Sequence, residues 1–223
     1  IFSAGISEIS PRRLKQTFEA EVADRTPRDS FYHCLKNSAH QFHNKQEEDH
    51  YILAGYPWFK CRARDMFVSL PGLTLAVDEI GEFEDVMETA RKAINNYIKG
   101  EPIGCKIYEM DDPDVLLWAV WALQQYAKET SREQCRAKYG SLLEEIIDFI
   151  RQRKHDNLFL HENGLLYANG ADRAITWMNS TVNGRPVIPR TGYIVEINAL
   201  WYNALRFIAD LVREGGNGLL ADS

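Results

Sequence analysis

Aromatic, amide, arginine and carboxylate residues occur together in four separate segments of this sequence. They are Tyr56, Trp58, Arg64 and Asp65; Asp114 and Trp118; Trp177, Asn179, Asn183 and Arg190; and Glu196, Asn198, Trp201 and Tyr202. A sugar ring has apolar C–H faces and hydroxyl groups that both donate and accept hydrogen bonds. Its binding site therefore needs flat aromatic rings beside charged and amide side chains. The mixture predicts a carbohydrate site wherever these segments meet in space.

A purely structural role for the same residues stays open at this point. The tryptophans could belong to the core, and Asp114 could only cap a helix. Arg64 could pair with Asp65 or another neighbour, and Glu196 could be a favourable first-turn glutamate. These alternatives predict a helical scaffold that binds no sugar.

Several other functions are disfavoured by the composition and by missing motifs. Acidic residues outnumber basic ones by 32 to 26, which argues against nucleic acid as a partner. The sequence lacks a phosphate-binding glycine loop, HExxH and GxSxG. The histidines at 40, 43 and 50 lie in a charged segment that is typical of a solvated loop, so we expect no metal and no cofactor. No apolar run approaches the roughly 18 residues of a membrane span, and we expect a cytoplasmic protein.

Apolar residues at helical spacing predict about seven helices, and hence an all-α fold. Four of the expected helices cover about residues 11–21, 29–41, 83–99 and 193–213. A fifth contains Pro71, and two more follow Pro113.

Individual segments carry further predictions. The segment VLLWAVWALQQY is apolar on nearly all sides and must be covered by neighbours. The segment HQFHNKQEEDHYI is predicted to be a loop. Asp112, Pro113 and Asp114 are predicted to form a capped helix start. A loop region near 160–190 contains Asn-Gly at 163, 169 and 183 and a predicted short hairpin.

Three phrases carry a resemblance to a known family. AGYPWFKCRARDMFVSLPGL, DDPDVLLWAVWAL and TWMNSTVNGRPVIPRTGYIVEINALWYNAL closely resemble the amylo-alpha-1,6-glucosidase domain of glycogen debranching enzymes, from about Ser38 to Val212. The resemblance implies a six-hairpin, (α/α)6 toroid. It also implies inverting hydrolysis of the single glucose left on an α-1,6 branch of glycogen or a related α-glucan.

The resemblance also implies roles for individual residues. The loop from Thr176 to Arg190 would line the mouth of the toroid, and Glu196 would begin an inner helix that points at the sugar. We predict catalytic roles for Glu196 and Asp65. The predicted substrate-binding residues are Trp58, Arg64, Asp114, Trp177, Asn179, Arg190, Trp201 and Tyr202. The expected partner is an α-glucan or malto-oligosaccharide.

Two residues depart from the pattern of the family. Asn179 stands where the family usually has the aspartate of Thr-Trp-Met-Asp, and an amide cannot donate a proton as a general acid. Ala63 replaces the glycine that usually precedes Arg-Asp. Either activity is impaired and the domain only binds α-glucan, or another group has taken over the role of the acid.

The number of predicted helices also falls short of the family's ring. Residues 1–223 are predicted to be a single domain, the N-terminal portion of the toroid. About seven helices form only part of a ring of twelve, and apolar inner faces of an open ring would meet water. We therefore expect self-association or a further C-terminal segment, with the second catalytic carboxylate beyond Ser223.

Overall fold

The computed structural model describes residues 9–56 and 58–214. They form two compact units, one up to Gln41 and one from Phe42 onward. The assignment of residues 1–223 to a single domain stays a prediction. Every helix within the described ranges is too short or too polar to cross a membrane.

The first unit contains α1 (Pro11–Asp24) and α2 (Phe31–His40). Each helix follows a serine whose hydroxyl oxygen accepts a hydrogen bond from a first-turn amide: Ser10 from Arg13, and Ser30 from His33. These bonds satisfy amides that have no partner inside the helix. Both helices were predicted, and their bounds differ from the prediction by a few residues.

The second unit contains five α-helices and four two-stranded ribbons. The helices are α3 (Ala63–Leu73), α4 (Ile80–Lys99), α5 (Val115–Glu129), α6 (Arg132–Arg151) and α7 (Val195–Glu214), with a short 3-10 helix at Leu75–Val77. The strands are β1 (His43–Gln46), β2 (Asp49–Ile52), β3 (Cys61–Arg62), β4 (Ile107–Tyr108), β5 (Leu158–Leu160), β6 (Leu166–Ala168), β7 (Thr181–Val182) and β8 (Arg185–Pro186). β3 and β4 pair in parallel, and the other three pairs are antiparallel.

The helices of the second unit pack in two layers. α5 contacts α3, α6 and α7, whereas α4 contacts α6 and β2. Most of α5 is buried, including Leu116, Leu117, Val120 and Leu123, as its apolar sequence requires. An (α/α)6 toroid has the same alternation of inner and outer helices. The prediction of an all-α fold is confirmed, with seven helices among the described residues.

The segment from His43 to Ile52 is a β-hairpin, so its prediction as a loop was wrong. A two-residue turn joins Gln46 to Asp49, and Glu47 has the left-handed φ of 56°. Tyr51 and Ile52 are buried in the core of the unit, and β2 packs against α4. The polar residues of β1 did not indicate a strand, because the hairpin is held by contacts with α4, such as the hydrogen bond from the amide of His50 to Oγ1 of Thr89, 39 residues away.

Backbone hydrogen bonds hold the two sides of the predicted loop region near 160–190 together. Ala168 and Gly192 exchange two backbone hydrogen bonds of 2.9 and 3.0 Å. The Asn-Gly pairs at 163 and 183 form turns, and Gly164 and Gly184 have φ of 79° and 76°. Gly170 serves another purpose, because a Cβ there would lie 2.6 Å from the carbonyl oxygen of Arg190. The two sides of this loop therefore pack backbone to backbone.

Candidate functional site

Arg64 forms a buried ion-pair cluster with two aspartates from the segment that precedes α5. Its Nε and Nη2 donate to the two oxygens of Asp114, both at 2.8 Å, and Nη2 also donates to Asp112 at 2.6 Å. Arg64 is 8% exposed, and the aspartates are 6% exposed or less. Charges this deeply buried are stable only with such partners.

Asp112 and Asp114 do not cap α5 with their side chains, and this part of the sequence prediction was wrong. α5 begins at Val115, and the carboxylate of its N-cap residue, Asp114, makes no capping bond. The Asp114 oxygens accept from Arg64 and from the indole N–H of Trp118. A buried guanidinium competes better for a carboxylate than a helix amide does, because its hydrogen bonds are charge-assisted.

The loop that follows β6 is tied to this cluster. Arg173 donates to Asp111 and, at 3.1 Å, to Asp112. Arg64 donates to the carbonyl oxygen of Ile175 at 3.2 Å. The cluster therefore fixes the backbone just before Trp177.

Asn179 lines a cavity of about 260 Å³ together with several charged residues. The other lining residues are Arg62, Glu109, Asp111, Asp112, Arg173 and Ala174. Arg62 and Glu109 form two hydrogen bonds of 2.8 Å across this wall. Three carboxylates thus surround the cavity that holds the amide of Asn179.

Burial raises the pKa of Asp112 to about 6, against the opposing effects of Arg64 and Arg173. Both of its oxygens accept guanidinium N–H groups. The ionised form is therefore present at neutral pH, and its role in the cluster is to hold the two arginines in place.

A second group of predicted residues meets at the start of α7. The indole N–H of Trp177 donates to Oε1 of Glu196 at 3.1 Å, and Arg190 donates to the same oxygen. Among the residues that the structure describes, none donates to Oε2 of Glu196. Trp177 remains 62% exposed. The group therefore presents a fixed aromatic ring beside a carboxylate oxygen that is available to a ligand.

The other predicted site residues are not joined to these two groups. Trp58 is 83% exposed in the connection between β2 and β3, and Tyr202 is exposed on α7. Asp65 lies in the first turn of α3, with Oδ2 3.8 Å from Nε of Arg62. Trp201 is buried at 4% exposure, and its indole N–H donates to the carbonyl of Gly164. Trp201 thus packs in the core and is bonded to the turn of the β5–β6 hairpin, and roles for all four residues in the site stay predictions.

His155 is a buried, neutral histidine beneath the cluster. Its Nδ1 accepts from the amide of Asn157 at 3.0 Å, so Nε2 carries the proton. Nε2 is buried and faces the backbone of Asp112. Burial lowers the pKa of His155 to about 4, against the opposing charges of Asp156 and Asp111.

The pKa of His155 predicts a loss of stability in acid. In the unfolded chain histidine has a pKa of about 6.5, so between about pH 6.5 and 4 the unfolded state binds a proton that the folded state does not. Stability is therefore lost as the pH falls through this window. Between about pH 7 and 4.5, the free energy of unfolding should drop by about 2–3 kcal/mol more in the native protein than in His155→Gln. Urea unfolding at both pH values measures this, and identical pH dependence in the two proteins would contradict it.

The sequence model of the amylo-alpha-1,6-glucosidase family matches residues 36–217. The chain belongs to the amylo-alpha-1,6-glucosidase family. Comparison with curated proteins gave no match, and neither did comparison with solved structures. The matched residues include both groups of the site and the helices α3 to α7.

Membership of the amylo-alpha-1,6-glucosidase family agrees with the resemblance found in the sequence. No group of three or more histidine, cysteine, aspartate or glutamate side chains suited to a metal ion occurs in the part of the chain that the structure describes. His43 and His50 instead lie within 3.8 Å of Glu82.

Sequence reasoning missed Asp111, Asp112, Arg173 and the Arg62–Glu109 pair as parts of the site. The acidic run DDPD offered a signal, since three carboxylates within four residues need partners when they are buried. The identity of those partners was not readable, because Arg64 and Arg173 lie 48 and 61 residues from Asp112.

Proposed function

We propose that this chain is the sugar-binding part of a glycoside hydrolase that removes α-1,6-linked glucose branches from glycogen or a related α-glucan. The reaction would proceed with inversion at the anomeric carbon, in the cytoplasm, and without a metal or cofactor. The observation that carries the proposal is the contact of Trp177 and Arg190 with Glu196. Trp177 and Arg190 belong to the same loop as Asn179, which lines the cavity of about 260 Å³.

The chemistry of this group suits a glucose residue. The exposed ring of Trp177 offers a flat apolar surface to C–H groups, and Oε2 of Glu196 can accept a hydroxyl hydrogen. Arg190 and the indole N–H hold the carboxylate in one orientation. A fixed carboxylate beside an aromatic platform is a preorganised site, which lowers the entropic cost of binding.

An inverting reaction needs a protonated acid on the leaving oxygen and a carboxylate that activates water on the other face of the sugar. We propose Glu196 for the second role or as the acceptor of a sugar hydroxyl. In either role Arg190 pairs with its carboxylate, which lies in the first turn of α7, near the positive end of the helix dipole. Arg64 and Asp114 act indirectly in this proposal, since Nε and Nη2 of Arg64 and both oxygens of Asp114 are occupied by each other and by neighbouring residues.

An alternative is an α-glucan-binding domain with impaired catalysis. The observation that favours it is Asn179, whose amide cannot donate a proton where the family usually has an aspartate. The binding group around Trp177 does not depend on that side chain. Binding of sugar would then persist without turnover.

Substitution of Glu196 tests the proposal. In the full-length protein, Glu196→Gln should lower the rate of glucose release from an α-1,6-branched substrate by at least about 10²-fold, because the amide cannot act as a base. Glutamine keeps the size of the side chain, so binding of maltotriose should remain measurable by isothermal titration. Unchanged turnover would remove Glu196 from the mechanism.

The two functions are separated by measuring binding and release together. Maltotriose binding with glucose release from the branched substrate supports the hydrolase, and binding without release supports the binding domain. If the native protein binds no oligosaccharide, both proposals fail. The helical scaffold without a sugar site then remains.

A further inference from the structure

A second and larger cavity lies beside the candidate site. Its volume is about 640 Å³, and its walls come from the C-terminal end of α4, the segment that leads to Asp111, and the residues after α6. This volume is within the range of about 300–1,000 Å³ that is usual for ligand sites, whereas the cavity around Asn179 falls just below it. Glu109 and Asp111 line both cavities. The two spaces are therefore separated by a single stretch of chain.

The charges around the larger cavity are balanced. Glu109 is paired with Arg62, and Asp111 is paired with Arg173. Four other charged residues line the cavity and form no ion pair with a described residue: Lys99, Glu101, Lys154 and Asp156. Two positive and two negative groups favour neither an anion nor a cation. They offer hydrogen-bond donors and acceptors to a neutral ligand with many hydroxyl groups.

Two tyrosines supply the flat surfaces and the additional donor that such a ligand uses. Tyr108 is 41% exposed, and the ammonium group of Lys60 lies 4.6 Å from the centroid of its ring. Tyr97 packs edge-on against Phe149 and His155, and its hydroxyl group makes no hydrogen bond with a described residue. This hydroxyl group is free to donate to a ligand in the cavity.

We propose that the larger cavity binds a segment of the α-glucan chain that extends away from the candidate site. The inference rests on the proposed function, because the shared wall of Glu109 and Asp111 places the cavity next to the predicted sugar site. Several glucose units, rather than one, would contact the protein. Long malto-oligosaccharides would therefore bind more tightly than short ones.

Binding of glucans of two lengths to the full-length protein tests this proposal. Isothermal titration should show that maltoheptaose binds more tightly than maltotriose. Tyr108→Ala should weaken maltoheptaose binding by about 3–10-fold, the value of one aromatic contact. Maltotriose binding should change by less than about twofold, because the group of Trp177 is unaltered.

Two further variants make the test specific. Lys154→Ala should also weaken binding of maltoheptaose alone. The side chain of Lys154 is exposed and forms no ion pair with a described residue, so its removal should leave the fold intact. Tyr32→Ala is the matched control, because Tyr32 is 44% exposed, belongs to the first unit and is not among the residues that line either cavity. It should change neither affinity. Circular dichroism and thermal melting confirm that each variant is folded.

The outcomes distinguish this proposal from the function on which it rests. If maltotriose binds but maltoheptaose binds no better, or if Tyr108→Ala and Lys154→Ala have no effect, the larger cavity is not a glucan site. The proposed function then stands. If neither oligosaccharide binds the native protein, both ideas are overturned.

Discussion

Replacing Arg64 with leucine is expected to lower the free energy of unfolding by about 3–5 kcal/mol. The guanidinium makes three hydrogen bonds to Asp112 and Asp114, and all three residues are at most 8% exposed. Without it, two carboxylates remain buried with only part of their hydrogen bonds. Urea unfolding at about pH 8, well above the pKa of about 6 of Asp112, measures the loss.

Arg62 provides the matched control for this prediction. It also forms two hydrogen bonds with a carboxylate, that of Glu109, but its side chain is 25% exposed and that of Glu109 is 41% exposed. Water screens such a pair, so Arg62→Leu should cost less than about 1 kcal/mol. Equal losses in the two variants would show that burial does not set the strength of the Arg64 cluster.

Replacing Asn179 with aspartate is expected to increase glucose release from an α-1,6-branched substrate by at least about 10²-fold in the full-length protein. The substitution restores a carboxyl group where the family usually has one. Three carboxylates and two guanidinium groups line the same cavity, and the excess of negative charge favours the protonated form of a new carboxyl group. A protonated carboxyl group is what a general acid requires.

Two controls make the result for Asn179 interpretable. Asn183→Asp introduces the same change in the same loop, at a turn residue with φ of 50°, and should leave the rate unchanged. Glu196→Gln added to Asn179→Asp should abolish the gain, because the proposed acid and base act in one reaction. If Asn179→Asp is as slow as the native protein while oligosaccharide still binds, position 179 does not supply the acid. The α-glucan-binding alternative would then be favoured.

The helices were largely predictable because their information is local. Apolar residues at helical spacing identified α4, α6 and α7, and the nearly continuous apolar sequence of α5 predicted its burial on several sides. Serine caps and Asn-Gly turns act within a few residues, so the sequence also displays them directly. The hairpin at His43–Ile52 was missed because packing against α4, rather than its own polar pattern, stabilises it.

The sequence predicted which types of residue form the site, but it predicted only part of their arrangement in space. The grouping of Trp177, Arg190 and Glu196 followed from the resemblance and from their closeness in the chain, and these side chains do meet. Trp201 was predicted to bind substrate, a role that stays a prediction, and the structure places its side chain in the core. A tryptophan can serve either purpose, and which side of α7 meets the β5–β6 hairpin depends on how the helices pack.

The sequence by itself determined the helices, the turns and the kinds of residue that could bind a sugar, because propensity, capping and periodicity act over a few residues. Only the tertiary structure decided that Arg64 pairs with Asp112 and Asp114, that Arg173 joins them, and that Asn179 shares a cavity with three carboxylates. These contacts join residues far apart in the chain. Burying a charge without a partner is costly, so each buried charge is paired in the folded protein. The sequence does not show these pairs, because burial arises only when the chain has folded.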